Sequence, residues 1–350
     1  MRVPLRKTPP KAKPPNFRIH FPLAVSLLLV AGNISTSSAQ NEIPPIRVDV
    51  NVVSVPVTIN NARGEFVGGL RRENFRLRVD GKDQPIAYFA AEDEPAQVLL
   101  LVETGPAVYL LRDEHTSAAA VLLSGLAPDD RVAVASYEQA PRLLADFSAD
   151  KQTAAAALHT LVFSLGTAQL NFYDSLATCV DWLSIFPGKR AIVALTTGID
   201  GSGPDRLQAL AEKLQRSNVM VLPVALGREL RGPAQPRKAK TREQQKGRQS
   251  AKDIAAGFAQ FDGALTAIAD ETGGHAFVPK SDAEFESAYR QIAALLRHEY
   301  DLGFNAGMRD GAYHTIEVEV MDSRGESLNK DQKKPAYRWN SRRGFRAMSP

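Results

Sequence analysis

Apolar and polar positions alternate near the start of this chain and change rhythm further along. Residues 46–60 alternate and are rich in Val, which is typical of a β-strand, and Pro56 favours an edge or a bulge. From Gln97 onward, short apolar runs alternate with segments of helical length, a pattern that predicts βαβ units and a doubly wound, mostly parallel sheet of the α/β class. The predicted strands are 98–102, 131–137, 190–196, 219–226 and 275–278, and the predicted helices are about 113–124, 150–163, 171–184, 204–217, 262–272 and 282–298.

The segments on both sides of this α/β block have strand character. Two short strands, 75–79 and 85–89, are predicted around a tight turn at Asp80-Gly81-Lys82, and residues 313–320 alternate cleanly. We expect the N-terminal β segment (46–91) and the C-terminal β segment (301–346) to form one small β-rich module. The α/β domain, 96–300, would then be an insertion whose two ends lie close together. Within it, residues 142–147 are predicted to form a short antiparallel edge strand.

The N-terminus has the pattern of an export signal. Six Lys/Arg and no acid precede or flank an apolar stretch at 21–31, and Ser37-Ser38-Ala39 fits a small-x-small cleavage site. We therefore predict a signal peptide over 1–39 and a protein exported to the periplasm, the cell envelope or the extracellular space. The alternative is an uncleaved signal anchor, which would be the only attachment to a membrane. Cys179 is the single cysteine, so no intrachain disulfide can form.

The net charge of +4 comes from two tracts of the sequence. Without the six basic residues of 1–39, the chain has 37 Lys/Arg against 39 Asp/Glu. A second tract, 228–252, has nine Lys/Arg against two Glu and is predicted to be a solvated, mobile loop. This loop could dock an anionic partner or a membrane surface, although a plain solvated loop explains it as well. Because the basic charge is not spread over a folded face, we expect no binding to nucleic acid.

The chemistry-bearing segments follow the predicted strands. The apolar run 98–102 ends in Glu103, Thr104 and Gly105, as a buried parallel strand does when it delivers a site at its carboxyl end. Six further segments complete an ordered set. They are 66–81 together with Gln84; Gly166-Thr167 together with 172–176; 195–200; 271–274; 297–304 together with 310–314; and 342–345.

This ordered set, over roughly residues 46–346, resembles a family of exported von Willebrand factor A domain proteins described from Acidobacteria. The resemblance implies a Rossmann-like fold and a metal-ion-dependent adhesion site, whose first loop in the family reads Asp-x-Ser-x-Ser. Here the matching positions are Glu103, Gly105 and Ala107. The family's second loop supplies a hydroxyl, which Thr167 keeps. Its third loop supplies an Asp, where this chain has Thr197.

This loss of ligands predicts a degenerate site with no cofactor. Gly105 and Ala107 offer no side-chain oxygen, and Glu103 is one methylene longer than Asp. Thr167 and Thr197 would then satisfy loop backbone groups, while Glu103 would cap a helix N-terminus or face water. In the alternative, a rearranged site holds Mg²⁺ through Glu103, Thr167 and Asp200. In either case the predicted ligand-binding face consists of Glu103, Thr104, Gly105, Thr167, Thr197 and Asp200.

The expected function is binding to another protein or a cell-surface component, without catalysis. The sequence contains no Gly-x-Ser-x-Gly elbow and no Gly-rich phosphate loop with Lys. Its histidines form no pair with metal-ligand spacing. A hydrolase on the same scaffold would need an acid–base pair that the sequence does not display. We therefore expect an exported adhesion or interaction protein, with a divalent-cation-dependent binder as the alternative.

Overall fold

A computed structural model describes residues 52–63, 65–91, 94–106, 108, 112–164, 169–227, 242–329 and 335–349, except for the side chains of 112–118 and 242–252. The predicted signal peptide, Thr167 and residues 228–241 of the predicted basic loop lie outside the described residues. Among the described helices, none combines the length and the apolar character needed to cross a membrane.

The described residues form thirteen β-strands and six α-helices. The strands are β1 (Val52–Asn61), β2 (Phe75–Val79), β3 (Lys82–Gln84), β4 (Tyr88–Ala90), β5 (Ala96–Glu103), β6 (Arg131–Tyr137), β7 (Pro141–Ser148), β8 (Lys189–Thr196), β9 (Met220–Ala225), β10 (Tyr300–Asn305), β11 (Tyr313–Val320), β12 (Tyr337–Ser341) and β13 (Gly344–Arg346). The helices are α1 (Arg112–Gly125), α2 (Lys151–Leu158), α3 (Phe172–Ser184), α4 (Pro204–Arg216), α5 (Arg242–Thr272) and α6 (Asp282–Arg297).

The α/β block is built on a five-stranded sheet with the strand order β7-β6-β5-β8-β9. The strands β6, β5, β8 and β9 are parallel to one another. The strand β7 runs antiparallel to β6 along one edge, as predicted for 142–147. The apolar run of β5 is buried on both faces: Val98 and Val102 pack on one side, Leu99 and Leu101 on the other. Apolar side chains of α1, α2 and α6 cover the first face, and those of α3, α4 and α5 cover the second. The predicted fold class is confirmed.

Strands from both ends of the described chain make up two four-stranded sheets, which we call the β module. In the first sheet β1 pairs antiparallel with β10 and β12, and β10 pairs with β4. In the second, β11 pairs with β2 and β13, and β2 with β3. The apolar side chains of these sheets share one core, which includes Val55, Leu77 and Phe304. The flanking segments therefore fold together, as the alternating patterns predicted.

The predicted turn after β2 is a two-residue hairpin loop. Val79 pairs with Lys82, while Asp80 and Gly81 have φ of 48° and 73°. Positive φ at both central positions is typical of the type I′ turn. Asp and Gly suit this turn because both tolerate positive φ at low energetic cost. The carboxylate of Asp80 also accepts from Nδ1 of His314 at 2.7 Å, so the turn is held to β11.

Three predicted elements differ from the structure. The strand predicted over 85–89 forms only at its end, as part of β4, and β2 pairs instead with the earlier strand β3, which stops before Pro85 because proline has no N–H with which to continue it. The predicted strand 275–278 makes only one bridge, Phe277 to Val224, after a left-handed turn at Gly273 (φ 76°). The helix predicted over 150–163 ends at Leu158, where α2 reaches the edge of the core.

The basic tract also differs from its prediction. Residues 242–252 are not a loop, because they form the first part of the 31-residue helix α5. The helix predicted near 262 therefore begins about twenty residues earlier. Gln, Lys, Arg and Ala, which dominate this stretch, are good helix formers.

One buried arginine joins the β module to the α/β block. The guanidinium of Arg342, between β12 and β13, donates to four backbone carbonyl groups and, among the described residues, to no carboxylate. Its acceptors are Gly344 O at 2.9 Å, Ser54 O at 3.2 Å, Ser217 O at 3.0 Å and Gln215 O at 2.9 Å. Burial lowers the pKa of Arg342 to about 10, which leaves the group charged at neutral pH.

A second buried polar group of this junction lies around Lys189, at the start of β8. Its Nζ donates to the carbonyl oxygen of Glu299 at 3.0 Å. Asp301, two residues further, accepts from Ser54 Oγ at 2.6 Å. Burial raises the pKa of the Glu299 carboxyl to about 8, although the charge of Lys189 opposes this shift.

Candidate functional site

The last residue of β5, Glu103, is completely buried at the carboxyl end of the central sheet. Its carboxylate receives hydrogen bonds from both neighbouring strands. The backbone N–H of Thr197 lies 2.7 Å from Oε2, and the Thr197 hydroxyl lies 2.9–3.0 Å from the two oxygens. The Tyr137 hydroxyl lies 3.0 Å and the Thr196 hydroxyl 3.1 Å from the same Oε2. Sheet order explains this contact set, since β6 ends at Tyr137 and β8 at Thr196.

The donors around Glu103 are also bonded to one another. The hydroxyls of Tyr137 and Thr196 lie 2.6 Å apart, and Gly198 N–H donates to Thr196 Oγ1 at 2.9 Å. Burial raises the pKa of Glu103, and its hydrogen bonds oppose that shift. Burial and the nearby charge of Glu103 raise the pKa of Tyr137 well above its ordinary value, so this phenol keeps its proton. We call Glu103, Tyr137, Thr196 and Thr197 the polar plug.

The loop after β5 packs tightly against its surroundings. The backbone N–H and the hydroxyl of Thr104 both donate to Tyr137 O, at 3.0 and 3.1 Å. A Cβ atom at Gly105 would lie 2.8 Å from Cδ2 of Leu170, closer than van der Waals contact allows. A Ser side chain at this position would therefore fit only if Leu170 moved.

Asp200 has a different role from the one that the alternative site requires. Its Oδ2 accepts from the backbone N–H of Tyr173 at 2.9 Å, in the first turn of α3. Its Oδ1 accepts from the backbone N–H of Ser202 at 2.7 Å and also from the Ser202 hydroxyl. Asp200 thus caps a helix N-terminus and orders its own turn, a favourable place for a carboxylate.

The described residues of this face do not fit a divalent cation. Mg²⁺ takes oxygen ligands at about 2.0–2.1 Å, and the carboxylate of Glu103 instead faces a fixed backbone N–H and three hydroxyls. No described contact joins Asp200 to Glu103. In the part of the chain that the structure describes, no three His, Cys, Asp or Glu side chains group as metal ligands would.

The structure brings together some of the predicted site residues and separates others. Glu103 and Thr197 are in direct contact, and Thr104 reaches the plug through Tyr137, whereas Asp200 serves α3. Thr167 lies outside the described residues. The expectation that Glu103 caps a helix or faces water is wrong, because β6 and β8 enclose it. Sequence reasoning missed Tyr137 and Thr196, although each is a polar residue that ends an apolar strand run.

No family model matches the sequence, and no curated protein matches it. Solved structures similar to the chain include an aerotolerance-related membrane protein from Bacteroides fragilis, 16% identical, with a TM-score of 0.42 over 57% of this chain and 98% of that one. Another is a von Willebrand factor type A protein from Catenulispora acidiphila, 11% identical, with a TM-score of 0.43 over 87% and 75%. A third is the vWF domain of the pilus tip protein Mfa5 from Porphyromonas gingivalis, 12% identical, with a TM-score of 0.41 over 57% and 94%.

Proposed function

We propose that this chain is an exported, non-catalytic interaction module of the von Willebrand factor A type, which binds a protein or a cell-surface component without a divalent cation. The observation that carries the proposal is the polar plug. In the family's binding mode, a ligand carboxylate completes the shell of a bound cation. In this chain Glu103 lies at the end of β5, where the family has its first metal ligand. Hydrogen-bond donors of the protein surround its carboxylate, at the positions that a cation would otherwise occupy.

The burial of the plug argues for binding rather than catalysis. A general acid or base must reach the proton that it transfers, and Glu103, Thr196 and Thr197 are fully buried. The groups that remain accessible at this end of the sheet lie on the loops outside the plug, among them Gln169 and Gly201. Recognition would therefore rest on the shape and the direct polar contacts of these loops.

A cation titration tests the metal-free part of the proposal. Calorimetry with Mg²⁺, Mn²⁺ and Ca²⁺ on the chain expressed from Gln40 should give no heat of binding at millimolar cation. Thr167→Ala is the matched control, because Thr167 is the one position at which this chain keeps the hydroxyl ligand of the family. Micromolar binding that this substitution removes would overturn the proposal in favour of a rearranged site at Glu103, Thr167 and Asp200.

A capture experiment tests the binding part. Crosslinking in intact cells should give the same captured species with and without a chelator. Gly201→Arg would remove them, because it places a large charged side chain on the proposed face, where a Cβ meets only ordinary contacts of 3.5 Å or more. Gly307→Arg is the control, since a Cβ there meets nothing within 4 Å and the residue lies in the β module. Equal capture by both variants would show that this face is not the binding surface.

Catalysis is tested separately with a broad hydrolase substrate screen. We expect the same background rate from the wild-type chain and from Glu103→Gln. A turnover that the substitution abolishes would contradict the non-catalytic assignment.

A further inference from the structure

A cleft of about 520 Å³ lies between the β module and the α/β block, away from the polar plug. We call it the junction cleft. Its walls are the end of β1 and the turn after it, β12, the segment after α5, and α6. Its lining includes Arg63, Phe66, His275, Phe277, Arg338 and Asn340. The volume falls within the range of roughly 300–1,000 Å³ that is usual for ligand sites.

The charge of the junction cleft is positive and unbalanced. Arg63 and Arg338 are both exposed, and no described hydrogen bond or ion pair engages either guanidinium. The described lining contains no Asp or Glu. Glu65, the acid of the turn beside Arg63, accepts instead from the Asn61 side-chain amide at 2.7 Å. Two unpaired guanidiniums at one concave surface favour a ligand with carboxylate groups, which an Arg side chain can bind in a bidentate manner.

The wall between these charges is apolar and fixed. Phe277 and Leu295 are buried at its base, and the ring of His275 packs edge-on against Phe277 with centroids 4.8 Å apart. Phe66, partly exposed, is held by stacking on His298 at 5.5 Å. An aliphatic or aromatic side chain entering the junction cleft would therefore meet preordered apolar surface, which lowers the cost of binding.

Amide groups complete the lining. The Asn340 amide nitrogen donates to the carbonyl groups of Gly273 and Gly274, at 3.0 and 2.7 Å, which fixes the orientation of its side chain. Gln291, on the exposed side of α6, adds a second amide, whose nitrogen donates to Ser287 Oγ at 3.0 Å. The amide nitrogens of Asn340 and Gln291 thus have acceptors within the chain, while their oxygens can accept from the N–H groups of a peptide backbone.

We propose that the junction cleft binds an acidic peptide segment, in which carboxylates pair with Arg63 and Arg338 while an apolar side chain between them packs against Phe66 and Phe277. This inference rests on the proposed function, because the segment would belong to the protein partner. It adds a second recognition surface and gives the chemistry of its ligand.

The test uses the full chain and a fluorescent, end-blocked peptide of sequence Glu-Leu-Glu-Phe-Glu. Its counterpart, with Gln in place of every Glu, has the same shape without charge. Fluorescence polarisation should show saturable binding of the acidic peptide, weakened by salt, and none of the Gln peptide. The double variant Arg63→Gln/Arg338→Gln should bind at least about tenfold more weakly, because each lost charge-assisted pair weakens the complex.

Two further variants keep the result interpretable. Arg290→Gln/Arg324→Gln removes two exposed arginines outside the junction cleft and should leave the affinity within about twofold. Gln291→Trp keeps both cleft arginines and fills the cleft from α6, so it should abolish binding while the circular dichroism spectrum and the unfolding midpoint stay unchanged.

Three results with the purified chain would overturn the proposal. These are no binding of the acidic peptide at millimolar concentration, equal affinity in the wild type and Arg63→Gln/Arg338→Gln, and binding of polygalacturonate but not of the peptide. The last would identify the junction cleft as a site for anionic polysaccharide. If cells expressing Arg63→Gln/Arg338→Gln still capture the crosslinked partner, the junction cleft proposal fails while the proposed function stands.

Discussion

Arg342 donates from Nη1 to the carbonyl oxygen of Ser217 at 3.0 Å, and this contact ties the connection between β12 and β13 to the end of α4. Because the same guanidinium also reaches Ser54 and Gln215, one side chain holds three separate segments together. All its described hydrogen-bond acceptors are neutral carbonyl groups, and the nearby charges of Glu271 and Asp301 offset only part of the desolvation of the guanidinium. Such a group stabilises the junction only while all of its hydrogen bonds are made.

Arg342→Lys should therefore be strongly destabilising. An ammonium group cannot reach four carbonyls spread around a planar guanidinium, and it leaves some of them buried without donors. We expect a loss of about 3 kcal/mol or more in the free energy of unfolding, measured by urea denaturation. The neighbour Arg343 is 75% exposed and pairs with Asp270, so Arg343→Lys should change the free energy by less than about 1 kcal/mol. Similar losses in both variants would contradict this role for Arg342.

Gly105→Ala should destabilise the chain through a clash with Leu170. The added Cβ would lie 2.8 Å from Leu170 Cδ2, and overpacking of this kind typically costs about 1–3 kcal/mol. Leu170→Ala alone should cost about 2–5 kcal/mol. The double variant should lose less than the sum of the two, because the shortened side chain makes room for the new methyl group. Strict additivity in urea denaturation would show that the two positions do not touch.

The polar plug predicts a large difference between two substitutions of Glu103. Gln keeps an oxygen for Thr197 N–H and should cost about 1 kcal/mol in the free energy of unfolding. Leu leaves a backbone N–H and up to three hydroxyls facing a hydrocarbon, and should cost about 3 kcal/mol or more. Equal costs would mean that the hydrogen bonds to Glu103 contribute little.

The raised pKa of Glu299 predicts a pH dependence with a definite sign. An acid whose pKa rises from 4.5 to about 8 on folding binds its proton more tightly in the folded state. Stability from this group therefore falls as the pH rises from about 4.5 to about 8. Because Glu299→Gln cannot titrate, its free energy of unfolding relative to wild type should increase across this window. Urea denaturation of both chains at several pH values measures that difference, and a constant difference would contradict the shift.

Much of the sheet could be predicted because a strand that is buried on both faces has an uninterrupted run of apolar residues in the sequence. The run 98–102 has no polar residue, which is what a central parallel strand requires, and Asp80-Gly81 has the residues that a type I′ turn demands. The start of α5 could not be predicted from the same signals. The basic charge of the tract and the prolines at 233 and 236 favour a loop, whereas the residues from 242 onward favour a helix.

The candidate site could be predicted only in part for a spatial reason. The sequence shows that Glu103 ends an apolar strand, but it does not show which strands lie on either side of it. Tyr137 and Thr196 donate hydrogen bonds to Glu103 because the strand order is β6-β5-β8. This order is a property of the folded sheet. The position of Asp200 beside α3 depends in the same way on how the loop folds back.

The pairing of β1 has a consequence for the order in which this chain folds. Both strands that pair with β1 lie beyond residue 299, so β1 is made first and completed last. Until then its Val-rich stretch is an unpaired strand, the kind of segment that seeds aggregation in a nascent polypeptide. Pro56 interrupts that stretch without disturbing its final pairing with Asp301. We therefore infer that the proline protects the chain during synthesis, before β10 and β12 are available to pair with β1.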